Sequence, residues 1–508
     1  MLECWSRRFA AATLTSLLCG PALLAQAGLT HLGDASTPAR GTFRLQAATA
    51  WTRYDARFAP NGVAPLGALF TSDSLGVREI PRLAAAESLV TEATNAPFRL
   101  TLGRSRLDAT AREEIIPVGL EYGITNRLSV GVMMPVVRKR VAVQFRLDTA
   151  GGFGANVGPN QHRTNAAAAQ NNATVQAELA NAAQQLEARL SACRSNPSGA
   201  GCAALLAREA EAVALIAESQ AFALQLERIY GSATSTGEAF VPTAESDAQI
   251  AIEARIAQLN AQYRDLLTAS VDLLTAFPAG AGGPAGIADL QRYFAAEGLR
   301  DSVVMQERVG IGDVEVGLKF VALRLLPTEA RALGMQLAIA AVVRLSTGST
   351  DSPSEVVDMR LGTGDDRVDA RAIFDASYGR FGLLAAVRHE TAISAEERFD
   401  PLVDPNPDAP PAPVTDRSLT EFSVAPRWHL SAPLAFHAAY SFRSAGTTGS
   451  DQLVGGGVSF SGFRRTGEGR SPSMEMRYTH LEAISGDAGR PRFFRDQIEL
   501  RIYYRLRR

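Results

Sequence analysis

Chemistry at a protein site starts with histidines, thiols, paired carboxylates and activated hydroxyls. The six histidines of this 508-residue chain are His31, His162, His389, His429, His437 and His480. None forms an HExxH pair or another clustered zinc spacing. No GxSxG elbow or phosphate-cradling loop occurs, and Gly310-Ile311-Gly312 opens a strand rather than a helix, which excludes a dinucleotide reading. A hydroxyl nucleophile needs an orienting histidine. Tyr478-Thr479-His480, with Ser485 beyond it, is a weak version of that arrangement. Asp351, Glu355, Asp358, Asp365, Asp366 and Asp369 could gather around calcium, but a solvated surface loop is the preferred reading. No catalytic residue, metal or cofactor is expected.

What remains is charge placed at every second position. Arg371, Asp375, Arg388, Glu421, Arg427, Arg443, Glu475, Arg477, Glu499 and Arg501 alternate with apolar residues. IELRIYYRL (498–506) shows the pattern, with Ile498, Leu500, Ile502, Tyr504 and Leu506 on one face and Glu499, Arg501, Tyr503 and Arg505 on the other. DVEVGLKFVA (313–322), VDARAIFDASY (368–378), FSVAPRWHL (422–430) and LAFHAAYSF (434–442) repeat it. Period 2 is the strand period. These runs reach the roughly 9–11 residues that cross a bilayer at a tilt. Aromatics recur near the ends of the apolar faces, at Trp51, Tyr122, Phe320, Tyr378, Phe381, Trp428, Phe442 and Tyr504, as in interfacial girdles.

Twelve strands are expected, near 41–53, 110–122, 127–140, 312–323, 335–345, 366–378, 380–391, 418–430, 434–443, 452–461, 473–484 and 495–506. Connectors after even strands are short and most of those after odd strands are long, the asymmetry of an outer-membrane barrel whose N-terminus is periplasmic. The connector 54–109 has room for a further strand around RLTLGRSRL (99–107). The ten alternating charged side chains would then line the lumen, where mixed signs permit cross-lumen ion pairs.

The rest of the chain supports export. Arg7 and Arg8 precede an apolar run, and Ala25-Gln26-Ala27 follows it, which reads as a signal peptide over 1–27. Net charge is −2, so no basic field points to nucleic acid. The expected division is barrel strands one to three within 28–147, a helical, coiled-coil-like insertion over 148–307, and strands four to twelve over 308–508. In the insertion Val175, Leu179, Ala182, Leu186, Leu190 and Cys193 form one helical stripe. A second helix is expected over 203–230 and a third over 245–277. CRSNPSGAGC (193–202) joins the first two, and in an oxidising compartment Cys193 and Cys202 are candidates for a disulfide.

LEYGITNRLSVGVMMPVV (120–137), and GIGDVEVGLKF (310–320) followed by a strand ending LSTG (345–348), resemble hairpins of the outer-membrane transporter family named for the meta-pathway of phenol degradation. That family is distantly similar to long-chain fatty-acid transporter barrels. The resemblance implies a barrel that passes hydrophobic compounds; the helical insertion departs from it. The combined expectation is an all-β transmembrane barrel of about 12 antiparallel strands with a large α-helical insertion. It would sit in the outer membrane and act as a passive channel or transporter for small molecules, hydrophobic ones included, gated or capped by the helices. Its partners would be the lipid bilayer and a small-molecule solute, with self-association or a protein partner through the helical insertion as a further expectation. The alternatives are a non-conducting surface protein whose helices bind a partner, and, because outer-membrane phospholipases are also twelve-stranded, a membrane lipase.

Overall fold

The computed structural model describes residues 34–149, 154–296, 306–327, 332–349, 361–393, 397–398, 412–413, 418–431, 433–445, 449–466, 469–488 and 490–505. The expected signal peptide, His31, Asp351, Glu355 and Asp358 lie outside them. The chain divides into two compact units, one of residues 1–69, 107–144 and 299–508, the other of 70–106 and 145–298.

In the first unit, fourteen strands among the described residues form one antiparallel sheet, of which Gly62–Pro65 and Gln306–Ile311 are short additions. The other twelve are β1 (Thr42–Ala59), β2 (Arg104–Gly123), β3 (Leu128–Asp148), β4 (Val314–Leu325), β5 (Leu333–Leu345) and β6 (Arg367–Tyr378), then β7 (Phe381–Ala392), β8 (Ser418–His429), β9 (Leu434–Ala445), β10 (Gly449–Thr466), β11 (Gly469–Gly486) and β12 (Pro491–Arg505). Each strand pairs with its sequence neighbours, and β12 returns to β1 in the register Phe43↔Tyr504 through Trp51↔Asp496. The sheet therefore closes into a barrel and leaves no long edge.

The twelve expected segments all fall on these strands, but β1, β2, β3, β10 and β11 run several residues further. Segment 104–107 adds no strand, because it is the start of β2. Alternation weakens at these extensions and charge enters both faces, so periodicity alone ends the strands too early. At the other end the connectors are tight. Gly379 takes φ +56°, a left-handed value suited to glycine, and with Arg380 forms the whole turn between β6 and β7.

The barrel is inverted relative to a soluble protein. Its outward rows are apolar and exposed, with Leu318 at 51%, Ile339 at 54%, Phe381 at 66% and Tyr504 at 64%. Arg44, Arg344, Arg367 and Glu390 point inward and are no more than 2% exposed. Tyr122, Phe320, Tyr378, Phe381, Trp428 and Tyr504 all lie beside the short turns, while Trp51 and Phe442 lie nearer the long loops. A wall with this pattern suits lipid outside and a polar network within.

The second unit is helical: α1 (Ala84–Thr94), α2 (Ala166–Ser195), α3 (Cys202–Ala207), α4 (Glu209–Tyr230), α5 (Asp247–Leu267) and α6 (Ile287–Ala296). The Asn165 carboxamide caps α2 by accepting from the Ala167 and Ala168 amides, and Ser246 caps α5 by accepting from Gln249. The expected stripe of α2 is its buried face, packed with Phe222, Ile229, Ile252, Ile256, Leu259 and Tyr263. The expected second helix is divided at Arg208, and the third ends at Leu267, where Thr268 turns left-handed. α1 and α6 were not expected.

Cys193 and Cys202 form a disulfide across the turn between α2 and α3, with Cα atoms 5.0 Å apart. Closing so short a loop limits the unfolded chain modestly, so Cys193→Ser with Cys202→Ser should cost about 2–3 kcal/mol. Chemical denaturation followed by helical circular dichroism checks this.

Glu178 supplies a pH-dependent clamp in the same unit. Its carboxylate accepts from the Thr275 amide at 2.7 Å, the Ala276 amide at 2.9 Å and the Thr275 hydroxyl at 2.7 Å. Partial burial pushes its pKa up, but these three donors outweigh that and hold it below the ordinary carboxylate value. A depressed folded pKa stabilises above the unfolded value of about 4.3 and is lost as pH falls through the folded one. Acid melts should therefore show the unit weakening below about pH 4, with Glu178→Gln flattening that dependence.

Candidate functional site

Among the described residues, the inward faces of the strands build three ion-paired clusters in the barrel. The first lies at the end with the short turns. The chain before β1 folds back over the β2–β3 turn: the Gly41 amide donates to the Gly123 carbonyl at 2.8 Å, and the Arg40 amide donates to Asn126 Oδ1 at 3.1 Å. A Cβ on Gly123 would sit 2.3 Å from the Ala39 carbonyl oxygen, so this crossing needs glycine. The segment then enters the lumen. Ala35 is wholly buried against Val321, Ala338 and Ile373. Asp34 binds Arg501 Nη1 at 2.5 Å, Arg44 Nη1 at 3.2 Å and Lys319 Nζ at 3.7 Å. Glu121 pairs with Arg44 and with Lys319 at 3.4 Å. Glu499 binds Arg501 at 2.7 Å and accepts from Gln46 at 2.6 Å.

The second cluster spans β4–β9 near the long loops. Arg344 bridges Glu315 at 2.8 Å and Glu390 at 2.9 Å. Glu390 also meets Arg367 at 3.3 Å and Arg388. Asp369 pairs with Arg371 at 2.6 Å and Arg388 at 2.5 Å, and Asp365 with Arg367 at 2.8 Å. The third joins Lys139 to Glu113 at 3.5 Å and Arg443 to Asp451 at 2.8 Å, with Arg443 and Arg495 each 5.4 Å from the Phe493 ring centre.

The ten residues singled out from sequence thus stand on the inner face. Arg371, Arg388 and Glu421 belong to the second cluster, where Glu421 accepts from Ser441 at 2.8 Å. Arg443 belongs to the third, and Glu499 and Arg501 to the first. Asp375 and Arg427 form a separate pair at 2.6 Å. Glu475 lies 3.8 Å from Arg501, and Arg477 lies 3.9 Å from Glu499. Arg44, Glu113, Lys139, Glu315, Lys319, Arg344, Arg367 and Glu390 were missed, although the same alternation marks them. Asp34 precedes the first strand and has no periodicity to reveal it.

Cluster side chains such as Glu113, Arg344, Arg388, Arg443 and Arg495 are buried all around the ring. On β7–β11 Leu384, Ala386, Ala425, Ala439, Gly457 and Leu481 face inward and are half-exposed, next to Asp375, Arg427, Glu475 and Arg477, whose side chains are 22–32% exposed. His437, on the same wall, is bonded to Thr479 Oγ1 at 3.1 Å.

The structure does not assemble the hydrolase candidate. His480 Nδ1 meets Asp496 Oδ1 at 2.9 Å, and the Tyr478 hydroxyl donates to the same oxygen at 2.7 Å. His480 stands opposite Gly456 and Ser485 opposite Gln452. Five residues of strand, about 16 Å, separate that serine from the imidazole. The described carboxylates of the calcium candidate are engaged too: Asp365 and Asp369 by arginines, and Asp366 by the Ser346 amide at 2.7 Å and hydroxyl at 2.8 Å. No group of metal-ligating side chains occurs among the described residues.

No protein-family profile and no curated protein matches the chain. Solved structures do. An outer membrane channel from Pseudomonas putida F1 is similar at 8% identity and TM-score 0.42, covering 94% of this chain and 100% of its own. The transport unit of the autotransporter AIDA-I from Escherichia coli is similar at 5% identity and TM-score 0.33, over 96% and 98%. The Pseudomonas putida toluene transporter TodX is similar at 11% identity and TM-score 0.24, over 96% and 92%. At such scores the likeness transfers no residue role.

Proposed function

We propose that the chain is an outer-membrane channel for passive movement of small molecules with largely apolar bodies. The observation that carries this reading is the inverted barrel, apolar outside and ion-paired within, whose inner wall on β7–β11 also holds, between the clusters, small side chains that remain accessible from the lumen. Small alanine, glycine and serine side chains leave width, and leucines give weakly polar solutes a favourable surface. The accessible charges Asp375, Arg427, Glu475 and Arg477 balance in sign, which favours neutral solutes over ions of either sign. The names of similar structures, an outer membrane channel and a toluene transporter, agree with this reading but do not carry it.

Planar-bilayer conductance and solute-driven swelling of liposomes containing the full protein test it. A neighbouring pair of substitutions makes the test specific. Ala439 faces the lumen and Ala438 faces outward, so Ala439→Trp should cut flux several-fold while Ala438→Trp leaves it near wild type. A full-length barrel that passes neither ions nor solutes would instead favour a non-conducting surface protein.

A further inference from the structure

We propose that the outer face of β1–β3 carries a binding site for the phosphate of a bilayer lipid, formed by Arg53 and Arg112 with Arg138 and Arg140 beside them. Arg53 and Arg112 stand directly opposite one another in the β1–β2 register, both pointing outward and both exposed. Like charges placed opposite each other on neighbouring strands repel. The acids nearby do not separate them. Asp55 reaches Arg53 only at 3.9 Å, Glu307 is taken by Arg138 at 2.7 Å and stands opposite Arg140, and Glu114 stands opposite Trp51. The inward ion pair of Lys139 with Glu113 sets β3 beside β2 at this height, which brings the outward Arg138 and Arg140 alongside Arg112.

The occupant follows from what lies next to these guanidiniums. On β1 and β3 the outward rows turn apolar at once, and on β2 beyond Glu114, with Trp51, Ile116, Val118, Val132 and Met134 between 38% and 43% exposed. A molecule with acyl chains on that belt places its headgroup at the arginines. Two guanidinium forks offer the N–H geometry that phosphate oxygens take. On β5, β6, β8 and β9 the outward rows toward the long loops hold Leu345, Val368, Thr420 and Ser444, none of them cationic.

The proposal rests on the barrel lying in a bilayer, and the experiment separates the two. Full-length protein is reconstituted with brominated phosphatidylcholine or brominated phosphatidic acid, and quenching is read at Trp51, with Trp428→Phe removing the other described indole. Quenching by brominated phosphatidylcholine establishes immersion. Stronger quenching by the phosphatidic acid, falling by about fivefold in relative preference for each of Arg53→Gln and Arg112→Gln, supports the site. Equal quenching by both lipids, or a preference that survives both substitutions, overturns it. Loss of the preference on adding millimolar inorganic phosphate would assign the arginines to free phosphate and also overturn it. No quenching by either lipid would sink the membrane reading itself.

Discussion

Asp34→Asn should release the segment 34–40 from the lumen and raise single-channel conductance several-fold. In the first cluster Asp34, Glu121 and Glu499 balance Arg44, Lys319 and Arg501. Asparagine keeps the shape of the side chain but leaves one positive charge unmatched among groups that are almost wholly buried. Breaking such a pair costs about 3–5 kcal/mol. The barrel wall is fixed by continuous strand pairing, whereas the segment is held by the Asp34 ion pairs, the Ala35 packing and a few bonds to the β2–β3 turn. Undocking lets water reach the three cations, so the segment rather than the wall should give way. Conductance and hydrogen exchange at 34–40 read the outcome. Wild-type conductance with the segment still protected would show that the carboxylate is dispensable.

The second large effect is expected for Glu390→Gln, and there it should appear as lost stability. Glu390 lies between Arg344, Arg367 and Arg388 and is 1% exposed. With Glu315, Asp365, Asp369 and Glu421 it faces the four guanidiniums of Arg344, Arg367, Arg371 and Arg388, and its loss would leave three of them locally short of a partner. These side chains project from β4–β8 themselves or, for Asp365, from two residues before β6, so no separate segment can leave to relieve the imbalance. The penalty of about 3–5 kcal/mol then falls on the folded barrel. The temperature at which the folded band converts to the unfolded one on detergent gels should drop clearly. Arg138→Gln, which removes a half-exposed outward pair with Glu307, should change it little, since such pairs contribute about 0–1 kcal/mol. Equal shifts for the two variants would mean that burial does not set the strength of the inner network.

The two substitutions also separate what was readable in the chain from what was not. The alternation in VDARAIFDASY is enough to put Arg371 and Asp375 on one face, because a strand turns its side chains over every residue. The same rule locates the twelve strands and the lipid-facing apolar rows. The stripe through Val175, Leu179 and Leu186 gives α2 for the parallel reason of a 3.6-residue period, and the short CRSNPSGAGC turn is enough to bring two cysteines together.

Local pattern says which face a residue is on, but not which residue stands opposite. Arg501 meets Asp34 across 467 residues of sequence, and that pairing exists only because β12 returns to β1 in one register. Asp34 itself lies on no strand, so periodicity is silent about it, and only barrel closure shows that it reaches the lumen. Closure likewise decided where the ring fills with ion pairs and where, between them on β7–β11, small side chains stay accessible, since that depends on side-chain volumes summed around the ring. The sequence by itself determined the strands, their two faces and the helical stripes, because these follow from backbone period. The tertiary structure alone decided the charge partners, the seat of Asp34 and which inward side chains stay accessible, because these depend on strand register and on how the closed ring fills its own interior.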